Sequence, residues 1–305
     1  MIELVEHDEA LEARSGGRLL FRYVHRPAEP QLESPKPYLH PIHDLAGQLV
    51  TLYRPHDHVW HKGISWALPV VGRHNFWGGG DYVPEVGGYL QRDSNGSMEH
   101  QRFTRLGTDG GALAVEEELV WRTRAGAEVV AETRTLGARV LDEATWVLTF
   151  TSSMRNSSEE PLPIGSPTTK GRENAGYGGL FWRGPRSFTG GQVLSAGVAG
   201  SGEDVRGRRA SWCGYSGRHD GTGTSSGIVM VDGPGNPACP PQWFVRSEPF
   251  AALCPAPFFS EEVGFDPGAT LTFRYGVAVH AGALDTGTCQ DLVQRVHDVL
   301  EGGDG

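Results

Sequence analysis

Apolar and polar residues alternate along much of this chain, the mark of strands with one buried face. In "TLTFRYGVAVH", Leu271, Phe273, Tyr275, Val277 and Val279 share a face opposite Thr272, Arg274, Ala278 and His280. "TWVLTFTSS" groups Trp146, Leu148 and Phe150, and "ALAVEEELVW" groups Leu113, Val115, Leu119 and Trp121. Glu117 falls on that last apolar face, where an edge position or a bulge would accommodate it if it is not buried for a purpose. "AEVVAETRTL" follows across the short turn "RTRAGA", which predicts a hairpin. Further strands are expected at 2–6, 19–24, 47–53, 226–232 and 242–246. One segment, "TGTCQDLVQRVHDVLEGG", has helical periodicity through Cys289, Leu292, Val293, Val296, Val299 and Leu300. It predicts a C-terminal helix over about 287–301, capped by Thr286 or Thr288 and packed on a sheet, with His297 off the apolar stripe.

Glycine (43) and proline (20) are scattered as punctuation rather than gathered in a linker. Many short segments between turns predict an all-β sandwich or barrel, here a single domain over 1–305. The segment 156–225, rich in Gly, Arg and Ser, lacks alternation; long ordered loops of this kind carry or cover a site.

A net charge of −10 over 305 residues argues against a nucleic-acid or anionic-membrane surface. No run approaches the ~18 apolar residues of a membrane helix. The N-terminus is acidic, and Cys213, Cys239, Cys254 and Cys289 are far apart, reading as reduced thiols. A cytoplasmic location is the expectation.

Candidate chemistry concentrates in "YRPHDHVWHKG", Tyr53 to Gly63. His40, His43, His56, His58, His61 and His74 lie close in sequence, and His100 follows. Imidazole titrates near neutrality, so a positioned histidine serves as acid or base. Asp57 beside His58 and His61 would orient a ring, or else cap a turn. The same histidines, His58 and His61 with His40 or His100, would alternatively ligate a divalent metal, although no HExxH helix is present. The cofactor expectation is therefore none or a divalent metal. Trp60, Trp77, Tyr177, Phe181, Trp182 and Trp243 stand in glycine-flanked contexts that suit the apolar faces of sugar rings, or that plug the ends of a sandwich. Asn75 would bind hydroxyls; Arg183 and Arg246 would clamp a carboxylate or oxyanion, or form salt bridges. Asn236, before a proline, reads as a turn or a ligand contact, and Lys170 as a base or an exposed lysine. No phosphate loop, dinucleotide fingerprint or nucleophile elbow is present.

The blocks "KPYLHPIHDLAGQLVTLYRPHDHVWHKGISWA", "NFWGGG", "YGGLFWRG", "NPACPPQWFVRSEPF" and "LTFRYGVAVHAG" occur in this order. Over about Pro37 to Gly282 the chain resembles a bacterial family of soluble proteins of unknown function, of the DUF6807 type, which carries a methane oxygenase PmoA-like label. The family reads "DHPWHHG" where this chain has "DHVWHKG": Asp57, His58, Trp60, His61 and Gly63 are kept, and Lys62 replaces a histidine. The methane oxygenase subunit spans a bilayer and this chain has no segment to do so, so the label carries no mechanistic weight. The resemblance implies a large antiparallel β-sandwich similar to the galactose mutarotase-like supersandwich, and a carbohydrate as small-molecule substrate. It also favours Glu132 as the carboxylate that pairs with His58 or His61. The expected function is a lyase, hydrolase or isomerase of a sugar or keto-sugar. A metal-dependent oxygenase or hydrolase and a non-catalytic sugar-binding module are the alternatives.

Overall fold

The computed structural model describes residues 1–302. Two antiparallel sheets face each other, as the alternating segments require. The nine-stranded sheet runs in space as Val198–Gly200, Gln192–Ser195, Trp212–Arg218, Ser225–Asp232, Thr270–His280, Thr145–Asn156, Glu128–Val140, Ala112–Arg122 and Ser97–Asp109. The eight-stranded sheet runs as Ile2–Glu6, Ala10–Ser15, Arg18–Val24, Tyr38–Ile42, Ile64–Ala67, Gly179–Arg183, Ala252–Ala256 and Gln242–Arg246. At the centre of the larger sheet Phe150 pairs with Tyr275 and Leu148 with Val277. Each strand thus adds to one continuous inter-sheet core that also buries Trp66, Trp121, Trp146, Trp182 and Trp243. The protein is an all-β antiparallel sandwich with one C-terminal helix.

Two further apolar layers lie outside the sheets. On the outer face of the nine-stranded sheet, Val147, Val229, Val231 and Ala278 meet Cys289, Leu292, Val296 and Leu300 of the helix Thr286–Gly302. The helix seats over Gly276, where a Cβ would come within 2.1 Å of Val296. Its first turn is capped by Asp285, whose carboxylate accepts from the Thr288 amide at 2.7 Å, rather than by Thr286 or Thr288. That amide is one of the turn's orphan donors, and Asp285 is the side chain placed just before it. On the outer face of the eight-stranded sheet lies the third cluster, with Trp77, Phe181, Phe244, Phe250 and Phe259.

The turn expected between Ala112–Arg122 and Glu128–Val140 forms through Thr123 and Gly126. Glu117 sits beside a bulge, where register slips between Glu116 and Glu117, and is nonetheless only 1% exposed. Segment 47–53 is not a strand; it makes only isolated bridges at Leu49 and Tyr53, and the Thr51 hydroxyl takes the Ile42 amide. Segment 156–225 contributes strands to both sheets. All five residues of Gly179–Arg183 are buried, so no alternation marks it. Cys213, Cys254 and Cys289 are buried free thiols and Cys239 an exposed one. Among the described residues no helix is long and apolar enough to cross a membrane.

Candidate functional site

Strand alternation decides which side chains reach the outer face of the eight-stranded sheet. In Gly179–Arg183, Leu180 and Trp182 enter the inter-sheet core while Phe181 and Arg183 take the other side. In Gln242–Arg246, Trp243 and Val245 point inward and Phe244 and Arg246 outward. Loops fold over this face and enclose a cavity of about 360 Å³, a size suited to a small ligand. His58, Trp60, His61, Trp77, Tyr177, Phe181, Phe244 and Phe250 wall it, with Tyr89, Arg172 and Arg246.

The histidine segment forms a tight turn: the His58 amide donates to the Pro55 carbonyl and the His61 amide to that of His58. This stacks the two imidazoles, with ring centroids 4.6 Å apart and planes at 26°. Asp57 Oδ2 accepts from His58 Nδ1 at 2.8 Å, and Arg183 donates to His61 Nδ1 at 3.0 Å. A carboxylate only accepts and a guanidinium only donates, so these partners fix opposite tautomers. His58 carries its proton on Nδ1 and leaves Nε2 as a lone pair. His61 accepts at Nδ1 and carries its proton on Nε2. Neither Nε2 has a hydrogen-bond partner among the described residues, and both rings line the cavity.

Burial depresses the pKa of both rings, that of His61 strongly, with the Arg183 charge adding to the effect; for His58 the Asp57 contact opposes it. Both are neutral at pH 7. Burial would raise the Asp57 carboxyl, but the His58 bond and the Arg183 charge outweigh it and hold the pKa well below the carboxylate range. Arg183 donates to Asp57 at 3.1 Å, Arg186 also donates to it, and Arg183 lies 3.7 Å over the Phe250 ring. Burial brings Arg183 down to about 10 against the pull of Asp57.

The "NFWGGG" loop forms the adjoining wall, with the Trp77 ring centroid 5.0 Å from that of His61. Asn75 Oδ1 accepts from the Trp77 and Gly78 amides, at 2.8 and 2.9 Å, and shapes the turn from beneath. Gly78 (φ +114°) and Gly79 (φ +70°) admit the Trp60 side chain, whose Cβ and indole ring an added Cβ would meet at 2.6 and 2.7 Å respectively. Buried Lys36 donates to the Trp77 carbonyl at 2.7 Å. Lys62 turns away from the cavity toward Glu29 and Glu33, at 3.4 and 3.2 Å. A lysine in place of the family's histidine therefore leaves the cavity wall unchanged.

A scan against family models matches residues 10–294 to a family of unknown function, DUF6807. The chain belongs to that family. No curated protein matches it. Among solved structures, a polysaccharide lyase shares 96% of this chain and 34% of its own, at 10% identity and a TM-score of 0.38. A TPR-domain containing protein from Parabacteroides distasonis shares 94% and 48%, at 12% identity and 0.38. A galactose mutarotase related enzyme from Lactobacillus acidophilus shares 93% and 98%, at 11% identity and 0.35. The chain spans from about a fifth to little more than half the length of several structures it matches. Likenesses this loose carry no argument about the reaction.

Of the residues singled out in this DUF6807 chain, His58, Trp60, His61, Trp77, Tyr177, Phe181 and Arg246 line this cavity, with Asp57 and Arg183 behind the imidazoles. Glu132 does not reach it. Its carboxylate lies in the core, accepting from Trp121, Ser152 and twice from Arg134, so a partnership with His58 or His61 is not formed. His100 is likewise elsewhere, bonded to Glu117 at 2.7 Å and packed on His25 and Phe103. The ligand set His58, His61 and His100 is thus not assembled. Among the described residues no three His, Cys, Asp or Glu side chains converge on a metal position.

His40 stacks on Tyr53 and bonds Thr51 outside the cavity. Trp182 and Trp243 point into the core, with indole N–H groups on the Val50 and Ala210 carbonyls. Asn236 braces a turn, donating to Asp232 and accepting from the Arg274 amide. Lys170 pairs with Glu262 on the surface.

Sequence reasoning missed Phe244, Phe250, Tyr89, Arg172 and Arg186. Phe244 had a legible signal. In "QWFVR" and "GLFWR", choosing Arg246 or Arg183 entails the same-face residues Phe244 and Phe181, and sends Trp243 and Trp182 inward.

Proposed function

We propose that this protein is a carbohydrate-processing enzyme, an isomerase or lyase of a sugar or keto-sugar, using His58 and His61 as its acid–base pair. The observation that carries the reading is the stacked pair of neutral imidazoles, one presenting a lone pair and the other an N–H to the same aromatic-walled cavity. His58 Nε2 takes the proton from a carbon next to a carbonyl. The Asp57 carboxylate stabilises the imidazolium that forms. His61 Nε2–H donates to the carbonyl oxygen as negative charge grows there, a role that suits a neutral imidazole held below its usual pKa. Return of the proton to the neighbouring carbon, with the hydroxyl proton passed through His61 Nε2 to the former carbonyl oxygen, completes an isomerisation; loss of a β-leaving group instead completes an elimination. Trp60, Trp77 and Phe250 would pack on the C–H faces of the ring and exclude water. Carboxylate-pair hydrolysis is disfavoured, because among the described residues no Asp or Glu lines the cavity.

The test is C–H exchange into D₂O, followed by proton NMR, with 3-keto-glycosides and free aldoses as substrates. Replacing His58 or His61 by Gln is expected to slow exchange by roughly 10²–10⁴-fold. Exchange at the wild-type rate in both variants sinks the assignment.

A further inference from the structure

We infer that the ligand of this cavity carries a carboxylate, as a sugar acid does, and that Arg172 and Arg246 receive it. The inference rests on reading the cavity as a carbohydrate site and adds a substrate class to it. In a chain of net charge −10, the cavity is lined by two arginines and, among the described residues, by no Asp or Glu. Its wall is therefore positive against the trend of the molecule, and half-buried guanidinium groups with N–H donors to spare favour an anion.

Neither guanidinium is committed within the protein. Arg172 makes no side-chain hydrogen bond or ion pair among the described residues; its guanidinium lies 4.6 Å over the Tyr89 ring. Arg246 lies 5.5 Å over the Phe244 ring, and its one carboxylate neighbour, Glu203 at 3.7 Å, is already gripped by Arg206 through both oxygens. Stacking on an aromatic face orients a guanidinium while leaving its N–H fork free. Two oriented, unfilled forks on one small cavity match the paired oxygens of a carboxylate. Arg183, by contrast, is fully buried and occupied by Asp57 and His61, so it supports the imidazoles rather than clamping a ligand.

The experiment titrates the 305-residue chain calorimetrically with D-glucuronate, D-glucose and D-glucose 6-phosphate. Glucuronate is expected to bind at least about tenfold more tightly than glucose, the size of a charge-assisted hydrogen bond or more. In the Arg172→Gln/Arg246→Gln double variant the ratio of the two affinities is expected to fall toward one, and in the Arg172→Lys/Arg246→Lys variant to recover in part. Neither arginine holds a buried partner, so melting temperatures within a few degrees of wild type verify that the variants fold. Equal affinities for glucuronate and glucose, no binding of either, or a preference that survives the double variant each overturn the proposal. Tighter binding of glucose 6-phosphate than of glucuronate overturns the carboxylate in favour of a phosphate. Equal wild-type affinities for glucuronate and glucose with histidine-dependent C–H exchange intact defeat this inference alone. A preference that holds while His58→Gln and His61→Gln exchange at the wild-type rate defeats the acid–base reading alone.

Discussion

Replacing Asp57 by Asn keeps the shape of the side chain and removes its charge, which isolates the role assigned to it. The Arg183 side chain is fully buried and Asp57 is a quarter exposed, with the half-exposed Arg186 sharing the carboxylate. Stripping a partner from a buried ion pair costs about 3–5 kcal/mol; partial exposure here reduces that to roughly 2–3 kcal/mol. At about 1.5 °C per kcal/mol for a chain of 305 residues, the melting temperature should fall by roughly 3–5 °C. The effect on the imidazoles has a definite sign. Asp57 raises the His58 pKa against burial, so its loss lowers that pKa further below 6.5. The bond that holds the proton on Nδ1 weakens from a charge-assisted one to a neutral one, a loss of about 1 kcal/mol of tautomer preference. Nitrogen-15 NMR of selectively labelled histidines reads both effects: tautomer from the ring shifts, pKa from their titration. The wild type should show opposite tautomers at His58 and His61, with the Nε2–H form at His61 retained in the variant because Arg183 still donates to it. Matching tautomers in the wild type, or a His58 pKa that rises in the variant, would refute the reasoning.

Other expectations follow from the same contacts. Glu132→Gln should cost about 3–5 kcal/mol in urea unfolding, because it strands buried Arg134, while sugar affinity at the cavity stays unchanged. Gly79→Ala places a Cβ 2.7 Å from the Trp60 ring at a positive φ; a loss of about 1–3 kcal/mol and weakened ligand binding measured by calorimetry are expected. Stability should fall on acidification below pH 6.5. Burial lowers His25 from 6.5 to about 4, so the unfolded chain binds the extra proton first, and the contribution present above pH 6.5 is lost as pH drops toward 4. At pH 5 that residue alone accounts for about 2 kcal/mol, and His61 acts in the same direction. Thermal melts from pH 7.5 to 5 check this; a flat profile contradicts the buried, neutral histidines.

The sequence by itself determined the all-β class, the central strands, the helix and the segment that carries the imidazoles. Each depends on local periodicity or on residues close in the chain. Thr270–His280 reads as a strand because one of its faces is continuously apolar, and Asp57, His58 and His61 come together within one turn. Burial on both faces erased that signal in Gly179–Arg183, and edge polarity hid Ser97–Asp109. Tertiary structure decided which functional candidates meet. Glu132 and His100 share the residue types of a catalytic couple, yet their strands turn them into the core, where Arg134 and Glu117 occupy them. Arg183 reaches His61 only because a strand 122 residues later in sequence lies beside the histidine turn. Arg172 and Arg246 share a cavity through a loop and a strand that no local pattern connects. A one-residue difference in strand parity separates Arg246 at the cavity from Trp243 in the core. Parity is written in the sequence, but which face looks toward the imidazoles is settled only when the sheets pack.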